Sequence, residues 1–173
     1  MEHDAMNEAN RFRTFSSSYY GRPGVEHALL TLQDEHGLEV NLVLLCLFAA
    51  SEGYPAFGEE AFGTFGRIAG RWSHEAVEPL RRARRGLKTM LPDEAAAALR
   101  EKVKALELDA EFAMQDALEA ALRAQGAPGS DAAGARGTAL HNLQAYLADK
   151  GMALGATREG LFHLLLDAAF GAR

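Results

Sequence analysis

The sequence holds a single cysteine, Cys46, among its 173 residues, and that cysteine sits within an apolar run. One thiol excludes an intramolecular disulfide framework and a multi-thiolate zinc site, and the apolar setting reads as a small core residue rather than a nucleophile. Alternating β-branched runs are scarce, which leaves little material for strands. The phosphate-loop pattern Gly-x-x-x-x-Gly-Lys-Ser/Thr is missing, as is Gly-x-Gly-x-x-Gly after a strand, and Ser16, Ser17 and Ser18 form no nucleophile elbow. Glu-x-x-His is also missing, and with it the signature of a helical di-iron carboxylate site. Met1 to Asn10 is polar and acidic where a signal peptide needs a basic end and an apolar segment. Apolar runs stop short of the roughly 20 residues that span a bilayer. The expectation is a cytoplasmic chain with no membrane span, no metal and no cofactor.

What is present suits one soluble domain. A hydrophobic content of 48% beside 24% charged residues is that of a globular protein, long enough to bury about 70% of its unfolded surface. The formal charge of -6 argues against nucleic acid as a partner. Hydrophobic periodicity is helical throughout, so the fold class is all-α. Phe12, Phe15 and Tyr19 mark a first helix from about Glu8 to Tyr20. Val25, Ala28, Leu29 and Leu32 mark a second, opened near Pro23 and closed at His36 by Gly37 as a left-handed cap. The third, about Leu38 to Ser51, is apolar nearly all round, the pattern of a central helix surrounded by others. Phe57, Phe62, Phe65 and Ile68 predict a short helix closed by Trp72, with Ser73 as N-cap of the next helix.

From His74 to Met90 the pattern is helical, with Pro79 either kinking the helix or starting it afresh. The longest helix is expected from Pro92 to about Gln125. One of its stripes faces the bundle, and a second faces another segment or subunit. Gly126 to Gly137 reads as a flexible linker. Two short helices come after it, around Leu140, Leu143 and Leu147 and around Leu161, Leu164 and Leu165, the second capped by Thr157. The domain reading is therefore a helical bundle over 8–125, a linker over 126–137 and a helical tail over 138–173.

Polar residues within apolar surroundings need partners, because an unpaired buried amide or carboxylate is costly. His27, Asp34 and Asn41 are seven residues apart and would share one side of a continuous helix. Gly37 interrupts that helix. A joint there would place Asn41 in the first turn of the next helix, where its side chain can serve free backbone groups. A structural network is the preferred reading, with a metal or catalytic role as the alternative. Arg81, Arg84, Arg85 and Lys88 form a basic face that can pair with Glu101, Glu107, Asp109 and Glu111 if the two helices run antiparallel, the alternative being that it binds phosphate, nucleic acid or an acidic partner protein. Glu107 and Glu111 also have the four-residue spacing of helical carboxylate ligands, although ordinary surface glutamates share it.

The stretch LQDEHGLEVNLVLL resembles a family of small bacterial proteins, mostly proteobacterial, that carries a domain of unknown function and the pattern LQD-x-x-G-x-(D/E)-V-N-L. FRTFSSSYYGRPGV is similar to the aromatic opening of that family, WSHEAVEPLRRARRGLK to its arginine-rich helix and LREKVKALELDAEF to its acidic helix. Arg13 stands where the family often has tryptophan, and the resemblance runs from Phe12 to Leu122. It implies no activity. It does single out Gln33, Asp34, Gly37, Asn41, Trp72, Arg81, Arg85, Glu107 and Glu111. From these we expect a polar cluster of Gln33, Asp34, Asn41, Arg81, Arg85, Glu107 and Glu111, in which Asp34 or Glu107 pairs with Arg81 or Arg85. The functional expectation is a non-enzymatic interaction or regulatory module whose partner is another protein or a second copy of the chain. The alternative is a metal- or small-molecule-dependent enzyme with its site at Asp34, Asn41, Glu107 and Glu111.

Overall fold

The computed structural model describes residues 11–58, 60–129 and 134–172. The expected start of the first helix at Glu8 and residues 130–133 of the expected linker lie outside them. The described residues are helical, without strand, in line with the all-α expectation. No helix among them is long and apolar enough to cross a membrane.

Helix α1 (Arg11–Tyr20) buries Phe12 and Tyr19 completely. Phe12 stacks on Phe48 with ring centroids 5.0 Å apart, and the Tyr19 hydroxyl donates to the Leu165 carbonyl at 2.5 Å. Helix α2 (Val25–Asp34) starts two residues later than Pro23 predicts, because Gly24 takes a left-handed conformation (φ 78) directly before it. Gly37 is left-handed as expected (φ 65), and the chain turns there into α3 (Val40–Ser51). Every residue from Val40 to Ala50 is buried. That helix has no solvated face.

Helix α4 (Ala61–Trp72) lays Phe62 on the Tyr146 ring at 5.2 Å and groups Phe65 with Phe57. The chain then stays helical through a π-helical turn, Ser73–Val77, into α5 (Glu78–Lys88). Pro79 lies in the first turn of α5, where its missing N–H costs least. Ser73 is not an N-cap: it stands at the C-terminal cap of α4, where the π-helical turn begins. A short loop leads to α6 (Glu94–Ala124), whose N-cap is Asp93 rather than a start at Pro92: the Asp93 side chain accepts from the Ala96 N–H at 2.8 Å. Helix α6 returns antiparallel along α5, with Arg81 level with Glu111 and Arg84 level with Glu107.

Helices α7 (Ala135–Asp149) and α8 (Ala156–Phe170) complete the described chain. The first begins within the span expected to be linker, and the second has Gly155 at its N-cap, leaving Thr157 inside the helix. Leu143, Tyr146, Leu147, Phe162, Leu165 and Leu166 belong to the same buried cluster as α1 to α4. The tail therefore shares the core of the bundle.

Candidate functional site

At the joint between α2 and α3, Glu39 occupies the N-cap of α3 and accepts the Asn41 backbone N–H at 3.2 Å. Glutamate is an uncommon cap, since the preferred residues have shorter side chains. Its position is fixed from three sides. The Glu39 N–H donates to the Tyr146 hydroxyl oxygen at 3.0 Å, the Ser73 hydroxyl donates to Oε2 at 2.9 Å, and Asn41 Nδ2 donates to Oε1 at 3.2 Å. Asn41 thus serves a side chain, not the free backbone groups that the sequence suggested. From Asn41 the network crosses to α6, where Gln115 Nε2 donates to Asn41 Oδ1 at 2.8 Å.

The carboxylate of Glu39 sets the sense of this chain of bonds. A carboxylate only accepts, so Asn41 must turn its amide nitrogen toward Glu39 and its oxygen toward Gln115. Gln115 must then present its nitrogen to Asn41. Its oxygen, Oε1, is left without a partner although the residue is only 5% exposed. Ser16 on α1, 4% exposed, likewise has an unpartnered Oγ.

A second network joins α5 to α6. Arg81 Nε contacts Glu107 Oε1 at 3.0 Å, its Nη2 contacts Glu111 Oε1 at 3.0 Å, and its Nη1 contacts Glu78 at 2.8 Å. Arg84 grips Glu107 from the other side, Nε to Oε2 at 2.5 Å and Nη2 to Oε1 at 3.2 Å. Burial by itself would raise the Glu107 pKa, but the hydrogen bonds from Arg84 and Arg81 outweigh it and hold the carboxyl below its ordinary value. Glu111 moves the opposite way. Burial, with Glu107 and Glu39 nearby, pushes its pKa up against the pull of Arg81.

The two networks face one cleft of about 960 Å³. All seven residues of the expected cluster line it: Gln33, Asp34 and Asn41 from the joint, and Arg81, Arg85, Glu107 and Glu111 from the helix pair. Of the expected pairings, Glu107 with Arg81 is present, and the other members differ. Arg84 takes the second place on Glu107, and Arg85, one residue further along the helix, makes no ion pair among the described residues. Asp34 accepts from its neighbour Gln33 at 3.1 Å rather than from an arginine. Sequence reasoning missed Glu39, Gln115 and Ser16, which look like unremarkable polar positions until the helices meet. Five carboxylates, of Asp34, Glu39, Glu78, Glu107 and Glu111, line the cleft against three guanidinium groups, of Arg81, Arg84 and Arg85. Among the described residues no group of three or more His, Cys, Asp or Glu side chains is placed to hold a metal ion.

A family model described as a protein of unknown function, DUF2390, matches residues 11–118. No curated protein and no solved structure matched the chain.

Proposed function

The chain belongs to the DUF2390 family, and from that premise we propose a non-enzymatic regulatory module of the cytoplasm that receives a small polar molecule in the cleft beside the α2–α3 joint. One observation carries the reading: the polar residues converge around a cleft of about 960 Å³ rather than packing shut against one another. A purely structural network gains nothing from an opening of this size, which is in the range that holds a small ligand. Leu99 and Leu106, about half exposed on the far side of α6, supply an apolar surface for a partner protein or a second copy of the chain.

A second reading, an enzyme acting on such a molecule, draws on the opposite pKa shifts of Glu107 and Glu111. Two neighbouring carboxyls with separated pKa values are a recurring acid–base arrangement. Both arms of Arg84 and one of Arg81 already occupy Glu107, which leaves it little freedom to exchange a proton, so binding without turnover takes precedence. A fragment screen on the intact chain, followed by the side-chain amide NMR signals of Asn41 and Gln115, tests the proposal. Compounds that shift those two signals selectively are expected. A screen whose hits all map elsewhere, or that yields none, would overturn it, and chemical conversion of a cleft ligand would favour the enzyme.

A further inference from the structure

Helices α1 and α6 run antiparallel, and their contacts set a register of facing turns. The Phe12 N–H donates to Glu119 Oε2 at 3.1 Å and Arg13 pairs with Asp116, so one turn further along α1 Ser16 comes level with Gln115, and a second turn brings Tyr20 level with Glu111. Ser16, Tyr20, Glu111 and Gln115 all line the cleft. Three groups on these turns can accept. Gln115 Oε1 is forced to be an acceptor by the relay from Glu39, Glu111 offers the oxygen that Arg81 does not take, and the Ser16 hydroxyl oxygen accepts as readily as it donates.

An anionic ligand would meet five carboxylates and find two of the three arginines committed to Glu78, Glu107 and Glu111. A cation meets a surplus of negative charge, five carboxylates against three guanidinium groups. A protonated primary amine carries three N–H donors, which Gln115 Oε1, Ser16 Oγ and the free Glu111 oxygen can accept. Val40, Leu44 and Met114 give the same cleft an apolar wall against which a short hydrocarbon chain can lie.

We propose that the cleft binds a small aliphatic amine, its ammonium group held by Gln115 Oε1, Ser16 Oγ and the Glu111 carboxylate. The assignment rests on the cleft being a ligand site and names the ligand class. Buried polar atoms left without protein partners are rare, and two of them on facing turns beside acidic side chains mark a place where a donor-bearing guest completes the hydrogen bonding.

The test is an NMR titration of the intact chain with butylamine, 1,4-diaminobutane, butanol, butyrate and inorganic phosphate at constant pH and ionic strength. Both amines are expected to shift the Gln115 side-chain signal, with butanol and butyrate binding at least tenfold more weakly. Ser16→Ala and Glu111→Gln should each weaken butylamine binding about tenfold, the usual weight of a hydrogen bond to a charged group, and their folded state is checked by circular dichroism. Should one variant fail to fold, the other carries the comparison. Butyrate or phosphate binding as well as the amine would overturn the amine assignment while leaving a cleft that takes ligands. Amine affinity unchanged in both variants would reduce it to general attraction by an acidic surface. No response to any of the five probes defeats the assignment, and the fragment screen then decides separately whether the cleft takes other guests.

Discussion

Arg84 and Glu107 meet in a two-pronged contact, Nε to Oε2 at 2.5 Å and Nη2 to Oε1 at 3.2 Å, across the antiparallel helices α5 and α6. Glu107 is 7% exposed and has Arg81 on its other flank, so its charge is compensated by two guanidinium groups rather than by water. Bidentate geometry of this kind is among the stronger forms of ion pairing.

Glu107→Ala is expected to cost about 3 kcal/mol, because it strands two half-buried cations. In double-mutant cycles measured by urea denaturation, Glu107→Ala should couple to Arg84→Ala and to Arg81→Ala by about 1 kcal/mol or more. With Arg85→Ala it should add to within about 0.5 kcal/mol. Coupling to Arg85 equal to that of Arg84 would contradict the assigned partner.

The two glutamates should respond to acid in opposite senses. Glu107 has a folded-state pKa below its unfolded value, so its contribution is present above the unfolded value and is lost as pH falls through the folded one. Glu111 has a raised pKa, so its ionised form works against folding at neutral pH, and that penalty fades as acid protonates it. Relative to the parent chain, Glu107→Gln should be less stable at neutral pH with the deficit shrinking on acidification. Glu111→Gln should be equal or more stable, with any advantage vanishing on acidification. Stability curves in which both differences change with the same sign would refute this account.

Glu39→Ala removes a helix cap and the acceptor for Asn41 Nδ2 and Ser73 Oγ together. Loss of a cap typically costs about 1 kcal/mol, and stranding a buried amide donor about 1–3 kcal/mol more. Ser73→Ala, which removes one donor and leaves the cap, should cost about 1 kcal/mol. Equal losses for the two would show that Glu39 acts only through Ser73.

Leu165→Ala, in the last described helix, is expected to cost about 2–5 kcal/mol, as a large-to-small change does in any close-packed core. A loss below about 0.5 kcal/mol in thermal or chemical denaturation would mean that α8 is an appendage.

Much of this architecture was readable from the order of residues. Helical periodicity located the segments, and Gly37 marked the joint because few other residues accept its left-handed backbone. The arginine helix and the acidic helix were legible as charge stripes, and the resemblance grouped them with the joint. Choosing Arg85 over Arg84 was a different kind of question. Adjacent residues point about 100° apart on a helix, so the partner of Glu107 depends on rotational phase, and the π-helical turn Ser73–Val77 resets that phase just upstream. Glu39 and Gln115 escaped notice for another reason. Beyond the local bonds of Glu39 to Asn41, the contacts that build the network reach 34 positions to Ser73 and 74 positions from Gln115 to Asn41, and no local pattern encodes a meeting at that distance.

Cys46 lies on the helix that has no solvated face, fully buried, and burial holds its thiol well above the ordinary cysteine pKa. A thiol reagent reaches it only when the helices around it part. The rate of modification is therefore a built-in clock for opening of the bundle, read from the one cysteine of the native sequence without any introduced label. A ligand that closes the bundle around its cleft should slow that clock, and so announce itself at a site it never touches.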